Sequence, residues 1–406
     1  MTLATLIAGV SGFVVIIVAA RAFGADQAMA EEFTAYWGLF FAGTGILTGL
    51  TQETTRAVAA HASVSEPPRQ HRFPDNAARP FRMSFVIGLI TLVVFALAGP
   101  VWAPRVITEH QLSGIVLLAV GLGSYAIQAV IAGLLSGNQL WREYAGMISL
   151  DSASRMVLSV IAWLLGWKLL AFIVVTVMGA VSWMVIVALS PALRKVLFSL
   201  ADVPARQFLS RAVTAMAASG ATAILITGFP TIVHLTHPDT SAELVTAASV
   251  IYAVTLTRAP ILVPLQQFQS ALIVRFVERR TVRSLLGPLG IVWGVGIVGA
   301  GLAALLGPWL MPAILGPDYQ APGWLLGLLT LGAACTASLM VTGAATVAME
   351  AHGLYLLGWV VATLAAIVAL ACPLPLSVSS WLALTVGPAL GLVVHGVGIQ
   401  LDRAKA

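Results

Sequence analysis

Charge is scarce in this chain: only 9% of its 406 residues are Asp, Glu, Lys or Arg, and 59% are hydrophobic. An ordinary soluble domain carries about 25% charged residues, so a water-coated globule is excluded and a polytopic membrane protein is implied. Cysteine is scarcer still. Cys335 and Cys372 both lie inside apolar runs, which excludes a disulfide framework and leaves each to read as a small buried hydrophobe. A nucleotide-binding loop of the form G-x-x-x-x-G-K followed by Ser or Thr is missing, which argues against direct use of ATP. His234 and His395 stand alone in apolar runs, without Cys, Asp or Glu at ligand spacing, so neither a metal nor another cofactor is assigned.

In place of these features the chain has apolar runs. A spanning helix needs roughly 20 apolar residues, and by that ruler about twelve spans follow one another. They lie near residues 3–22, 34–57, 83–102, 112–136, 145–166, 169–190, 211–234, 243–275, 285–306, 324–348, 353–373 and 380–400. Strands are excluded, because open edges cannot be satisfied in lipid and the runs far exceed the roughly 10 residues of a barrel strand. The first run ends in small residues, VAARAFGADQAMA, as a signal peptide would. It lacks a basic start and further spans follow, so a retained helix is expected.

The 21 Lys and Arg residues set the expected orientation, since basic residues favour cytoplasmic turns. Fifteen fall on alternate turns: Arg69, Arg72, Arg79 and Arg82; Arg142; Arg194, Lys195, Arg206 and Arg211; Arg275, Arg279, Arg280 and Arg283; and the C-terminal Arg403 and Lys405. The intervening turns carry only Arg21, Arg105 and Lys168. This alternation predicts a multi-pass protein of the inner, cytoplasmic membrane with both termini in the cytoplasm. The same loops account for the net charge of +5 and read as topology signals beside anionic headgroups, not as a nucleic-acid surface. The turn HASVSEPPRQHRFPDNAARP, rich in proline, reads as a linker. Outer turns are short. They leave no domain to hold a polysaccharide acceptor, and Glu31, Glu32, Glu109, Asp239, Glu243 and Asp318 are scattered without forming a catalytic pair. A non-enzyme is therefore expected.

After the sixth run comes a polar, basic connector, ALSPALRKVLFSLADVPARQFLSRA. It suggests two six-helix lobes, 1–192 and 209–406, joined by a cytoplasmic connector at 193–208 and arranged around a central cavity, as in transporters built from repeats.

Against that apolar background the internal charges stand out. A charge at bilayer depth costs at least ~2.5 to 3.5 kcal/mol on insertion scales, so it usually faces a cavity or a partner. Arg258 lies roughly 22 Å into its run at 1.5 Å per residue, too deep to snorkel easily, and a cavity or pairing role is expected. Asp151 and Arg155 are spaced (i, i+4) and can neutralise each other on one helical face, or Asp151 can titrate during ion coupling. Arg56 is near the cytoplasmic end of its run with Glu53 at (i, i−3); it reads equally well as a headgroup anchor or as an anion ligand. Gln266, Gln267 and Gln269 follow Pro260 and Pro264, where freed carbonyls and a bend suit a polar gate, although such glutamines also bridge neighbouring helices.

Four segments carry a likeness: IIVAARAFGADQAMAEEFTAYWGLF, LTGLTQETTRAVAA, AGLLSGNQLWREYAGMISLDSASRMVLSVIAWLLG and GPWLMPAILGPDYQAPGWLLGLL. Through their order and spacing the chain resembles the polysaccharide and lipid-linked oligosaccharide flippases, Wzx type included, of the multidrug/oligosaccharidyl-lipid/polysaccharide exporter superfamily. Arg21, Phe23 and Gly24 fit the family's pattern after the first helix, whereas the insertion ADQAMAEE displaces the aromatic Phe33. The resemblance implies translocation of a polyprenyl-diphosphate-linked glycan from the inner to the outer leaflet by alternating access, for cell-envelope polysaccharide synthesis. It also implies a cationic cavity or portal to which Arg21, Arg56 and Arg258 belong; Gln52, Gln266 and Gln267 are further candidates for substrate contact. The implied partners are the lipid-linked glycan, membrane lipids and polysaccharide-assembly proteins. Two other classes stay open: a cation-coupled drug or small-molecule antiporter on the same fold, using Asp151, and a non-transport scaffold for cell-wall enzymes.

Overall fold

The computed structural model describes residues 2–24, 26–62, 77–237, 245–278, 283–349 and 351–405. Almost all of them are helical: α1 (Thr2–Phe23), α2 (Gln27–Ala62), α3 (Pro80–Leu97), α4 (Gly99–Val106), α5 (Gln111–Gly137), α6 (Trp141–Leu164), α7 (Leu169–Met178), α8 (Ser182–Leu189), α9 (Pro191–Val196), α10 (Ala205–Ile226), α11 (Phe229–Thr236), α12 (Ala247–Glu278), α13 (Arg283–Leu315), α14 (Gly323–Ala348), α15 (His352–Ala371) and α16 (Leu376–Lys405). No strand occurs among the described residues beyond an isolated bridge between Ala77 and Pro204. Eleven helical segments among the described residues are long and apolar enough to cross a membrane, and Ser11–Phe23 is a shorter apolar helix ahead of them. The all-α polytopic class read from composition is the class observed.

Three of the expected spans are interrupted. The run at 83–102 divides at Ala98, just ahead of Gly99 and Pro100, into α3 and α4. The run at 169–190 divides into α7 and α8 around a tighter 3-10 turn, Gly179–Val181. The run at 211–234 ends as α10 at Ile226 and resumes as α11 at Phe229, with Pro230 in its first turn, where a missing N–H costs nothing. By contrast α12 runs continuously through Pro260 and Pro264, and α13 through Pro288, Pro308 and Pro312.

The chain forms two compact units: Met1–Phe23 with Tyr36–Ala223, and Gly24–Ala35 with Ile224–Ala406. The connector expected at 193–208 lies inside the first unit. There Asp202 N–H donates to the Ala57 carbonyl at 3.2 Å, while Ala201 N–H donates to the Ala78 carbonyl and Ala78 N–H to the Val203 carbonyl, each at 2.9 Å. Ala57, Ala78, Ala201, Val203 and Phe208 close over one another as a small core.

Within the first unit, helices approach through glycine. A Cβ on Gly88 of α3 would meet the Gly123 carbonyl oxygen of α5 at 2.7 Å, and one on Gly49 of α2 would overlap the α10 backbone at Met216. Close backbone approach of this kind is how apolar helices gain packing energy where lipid removes the hydrophobic drive between them. In the second unit α14 is the central helix, packed against α12, α13 and α16, while α15 packs on α16. The exposed faces are apolar: Phe85, Val86 and Leu89 on α3, and Ile291, Val298 and Leu305 on α13, as hydrocarbon-facing helices require.

Gly24 ends α1 in the left-handed region at φ 60°, a conformation that favours glycine. The Tyr319 hydroxyl of the second unit donates to its carbonyl at 3.4 Å. Burial, followed by the carboxylates of Asp318 and Asp26, pushes that phenol up to about 12, so it keeps its proton at neutral pH.

Substituting Gly49→Ala is expected to destabilise the first unit by about 1–3 kcal/mol through overpacking against α10. Gly290→Ala, whose Cβ meets nothing within 4 Å, serves as the control. Thermal unfolding of both variants in the same detergent checks this, and equal Tm values would refute it.

Candidate functional site

A buried polar cluster of the first unit is built on the α7–α8 interruption. An interrupted helix frees carbonyls that water cannot reach in hydrocarbon. Arg155 of α6 supplies one donor: its Nε donates to the Thr176 carbonyl at 3.0 Å. Its Nη2 lies 2.8 Å from Asp151 Oδ1. The guanidinium carbon also sits 5.0 Å from the Phe41 ring centroid and 5.7 Å from that of Phe40. Ser124 of α5 donates to the Ala180 carbonyl at 2.7 Å and accepts from Trp183 Nε1 at 2.9 Å. With its NH2 turned to the break, the Gln128 amide donates to the Gly179 and Ala180 carbonyls, each at 3.2 Å, and to Ser182 Oγ at 3.1 Å. Gly179 is required here, because an added Cβ would overlap Asp151 Oδ1 and the Arg155 guanidinium.

Asp151 and Arg155 thus form the pair that their (i, i+4) spacing allows, and Arg155 does a second job that the sequence did not disclose. Ser124, Gln128, Thr176, Gly179 and Ser182 were missed. An amide within the run SYAIQAVIAG was the only signal, and its partners lie more than fifty residues away.

Arg56 lies in a second, separate network of the same unit. Its Nε and Nη2 donate to the Glu53 carboxylate at 2.9 and 2.6 Å, and Nη1 and Nη2 donate to Asp202 at 2.9 and 3.1 Å. Two carboxylates therefore bracket one guanidinium, which ties the end of α2 to the segment before α10. Glu53 is buried and Asp202 is partly buried, while the Arg56 side chain is 40% exposed. The foreseen Glu53 contact is present, and Asp202 is the partner that spacing could not reveal. Gln52 is exposed on α2, and Arg21 is exposed in the last turn of α1.

Arg258 belongs to the second unit. Because α12 starts at Ala247, the residue sits roughly 17 Å along the helix, less than the expected 22 Å. Its side chain is buried, and Nη1 donates to the Leu225 and Ile226 carbonyls at 3.4 and 3.2 Å, the last two residues of α10. The Phe229 ring centroid lies 5.2 Å from the guanidinium carbon. The negative end of the α10 dipole favours a cation at this place. No carboxylate is paired with Arg258 among the described residues, and its Nε and Nη2 have no hydrogen-bond acceptor there. The side chains of Gln266 and Gln267 lie outside the described residues.

No family model matches the chain. A Mycobacterium bovis protein described as "Uncharacterized protein Mb3654" is 38% identical over 400 residues, covering 98% of this chain and 90% of that protein. The chain belongs to the same family as this mycobacterial protein. "Uncharacterized protein Rv1510" of Mycobacterium tuberculosis is a further member, 38% identical over 394 residues, with 97% of this chain and 89% of that protein covered. Among solved structures, a multidrug resistance MATE family transporter of the MOP superfamily in an inward-facing conformation superposes with a TM-score of 0.73 at 16% identity, over 98% of this chain and 95% of the other. The lipid II flippase MurJ in an inward closed conformation superposes with a TM-score of 0.68 at 12% identity, over 98% and 87%. This family therefore has the fold of MOP superfamily transporters.

Removing one partner of the buried pair, by Arg155→Met or Asp151→Leu alone, is expected to cost about 3–5 kcal/mol by stranding the other charge. The double variant, which removes both charges together, should recover a large part of that loss. A double-mutant cycle on thermal or denaturant unfolding checks this, and simple additivity of the two losses would show that the charges act independently.

Proposed function

We propose that the protein is a flippase that moves a polyprenyl-diphosphate-linked oligosaccharide or polysaccharide precursor from the inner to the outer leaflet of the cytoplasmic membrane. The headgroup crosses by alternating access along a cationic path, and both termini face the cytoplasm. No covalent chemistry is required of the protein, only a hydrophilic route for the headgroup while the isoprenoid tail stays in lipid. The observation that carries this reading is Arg258: a buried guanidinium, anchored at one nitrogen, with two donors that have no acceptor among the described residues. Guanidinium is permanently charged, planar and suited to bidentate contact with phosphate oxygens. The fold shared with a lipid II flippase is consistent with such a load.

A cation-coupled antiporter on the same fold is the second reading, favoured by the likeness to a multidrug resistance transporter. It is weakened by Asp151. That carboxylate, the deep candidate for cation exchange, already has the Arg155 guanidinium at 2.8 Å.

In liposomes containing the purified protein, a fluorescent polyprenyl-diphosphate sugar is expected to reach the outer leaflet. Arg258→Ala should slow the movement at least about tenfold, since a hydrogen bond to a charged group is worth about 1.5–3 kcal/mol. Arg258→Lys should keep the charge and lose the fork, with an intermediate rate. Unchanged translocation in both variants would remove Arg258 from the path, and no translocation by the wild type would favour the antiporter.

A further inference from the structure

The second unit holds a buried titratable group that the anion path does not use. His395 of α16 has 0% exposure. Its Nδ1 is 3.0 Å from Thr342 Oγ1 of α14, and its Nε2 is 3.3 Å from the Tyr355 carbonyl of α15. The Tyr355 ring stacks on the imidazole with 6.4 Å between centroids and 15° between planes. Gly358 of α15 makes room for it, since an added Cβ would overlap the imidazole at Nε2 and Cδ2. The ring therefore sits where the last turns of α14 and the first turns of α15 meet α16.

The partners define which protons the ring can hold. A carbonyl only accepts, so Nε2 carries hydrogen in either state of the ring. A hydroxyl both donates and accepts. In the neutral ring the Thr342 hydroxyl donates to Nδ1. In the imidazolium Nδ1–H donates to Thr342 Oγ1, and the threonine hydrogen turns to the Leu339 carbonyl, 3.1 Å away. One proton can thus be gained or lost by rotating one hydroxyl, with no heavy atom displaced. No counter-charge is provided among the described residues. Among the described residues the ring meets Thr342 from α14 and, from α15, the titratable Tyr355 and the Leu354 carbonyl, and no salt bridge reaches it. A buried charge without a partner is costly unless water reaches it. The neutral form therefore suits the closed packing of α14, α15 and α16, and the charged form suits an arrangement in which the packing has loosened.

We propose that His395 is a proton-binding site, and that its protonation opens the α14–α15–α16 cluster of the second unit. Proton concentration thereby biases the conformation of this unit whatever the load.

The test is hydrogen exchange on the full chain in nanodiscs of phosphatidylethanolamine and phosphatidylglycerol, between about pH 8 and about pH 5.5, a range that brackets histidine titration, with labelling times scaled to the intrinsic rate. Wild-type amides in 339–346 and 355–363 are expected to exchange several-fold faster at the lower pH, with α13 unchanged. His395→Gln should abolish that difference. Thr342→Val, which leaves the imidazolium without its acceptor, should move the change to lower pH. A pH-independent wild type, or a His395→Gln variant that keeps the wild-type response, overturns the proposal. Should His395→Gln fail to fold, Thr342→Val decides: a shifted response supports the site and an unshifted one overturns it. No substrate enters these measurements, so their failure would leave the Arg258 reading intact, and the converse holds.

Discussion

Hydrocarbon offers no water to a backbone carbonyl, and the polar interior of this protein is organised by that constraint. Each interruption of a spanning helix has a side-chain donor beside it. At the α3–α4 break Trp102 Nε1 donates to the Phe95 carbonyl at 3.3 Å. At the α7–α8 break Ser124, Gln128 and Arg155 serve the carbonyls of residues 176, 179 and 180. At the α10–α11 break Arg258 serves those of residues 225 and 226. The buried arginines of the two units thus share one structural task, which is to satisfy backbone where a helix stops.

What separates the two arginines is charge compensation. Arg155 has Asp151 at 2.8 Å and two aromatic faces within 6 Å, so its charge is answered inside the unit. Arg56 is answered twice, by Glu53 and Asp202. Among the described residues Arg258 has only the negative end of a helix dipole and one ring. A dipole end stands in for about half a charge. The guanidinium therefore keeps a net attraction for anions that the other two arginines have already spent on carboxylates.

Much of this was legible in the sequence, and the rest was hidden for definable reasons. Spans were readable because roughly 20 apolar residues are a crude but sufficient ruler. Their interruptions were not, since Gly179 and Thr227–Gly228 lie in runs that stay apolar on both sides. Pairs one helical turn apart, Glu53 with Arg56 and Asp151 with Arg155, followed from spacing. Asp202 did not, being 146 residues from Arg56. The partners of Arg258 are backbone carbonyls, which every residue possesses and no sequence pattern marks. The site of a deep charge, and a partner one helical turn away, can thus be read from a sequence, but not a partner distant in the chain or on the backbone.

On the proposed reading the protein must also release its load, and the geometry of Arg258 bears on that. A guanidinium with no fixed partner would bind an anion strongly in a low dielectric and be costly to leave empty. One with a full set of acceptors would not bind at all. Arg258 is held between these limits: Nη1 stays anchored to α10 by two carbonyls, while Nε and Nη2 remain to receive oxygens. On the proposed reading, a diphosphate adds bonds at Nε and Nη2 without displacing those at Nη1. When it leaves, the side chain falls back on a position already stabilised by the helix end. The binding and empty states then differ by two hydrogen bonds and not by a whole unpaired charge, which keeps both accessible in a transport cycle.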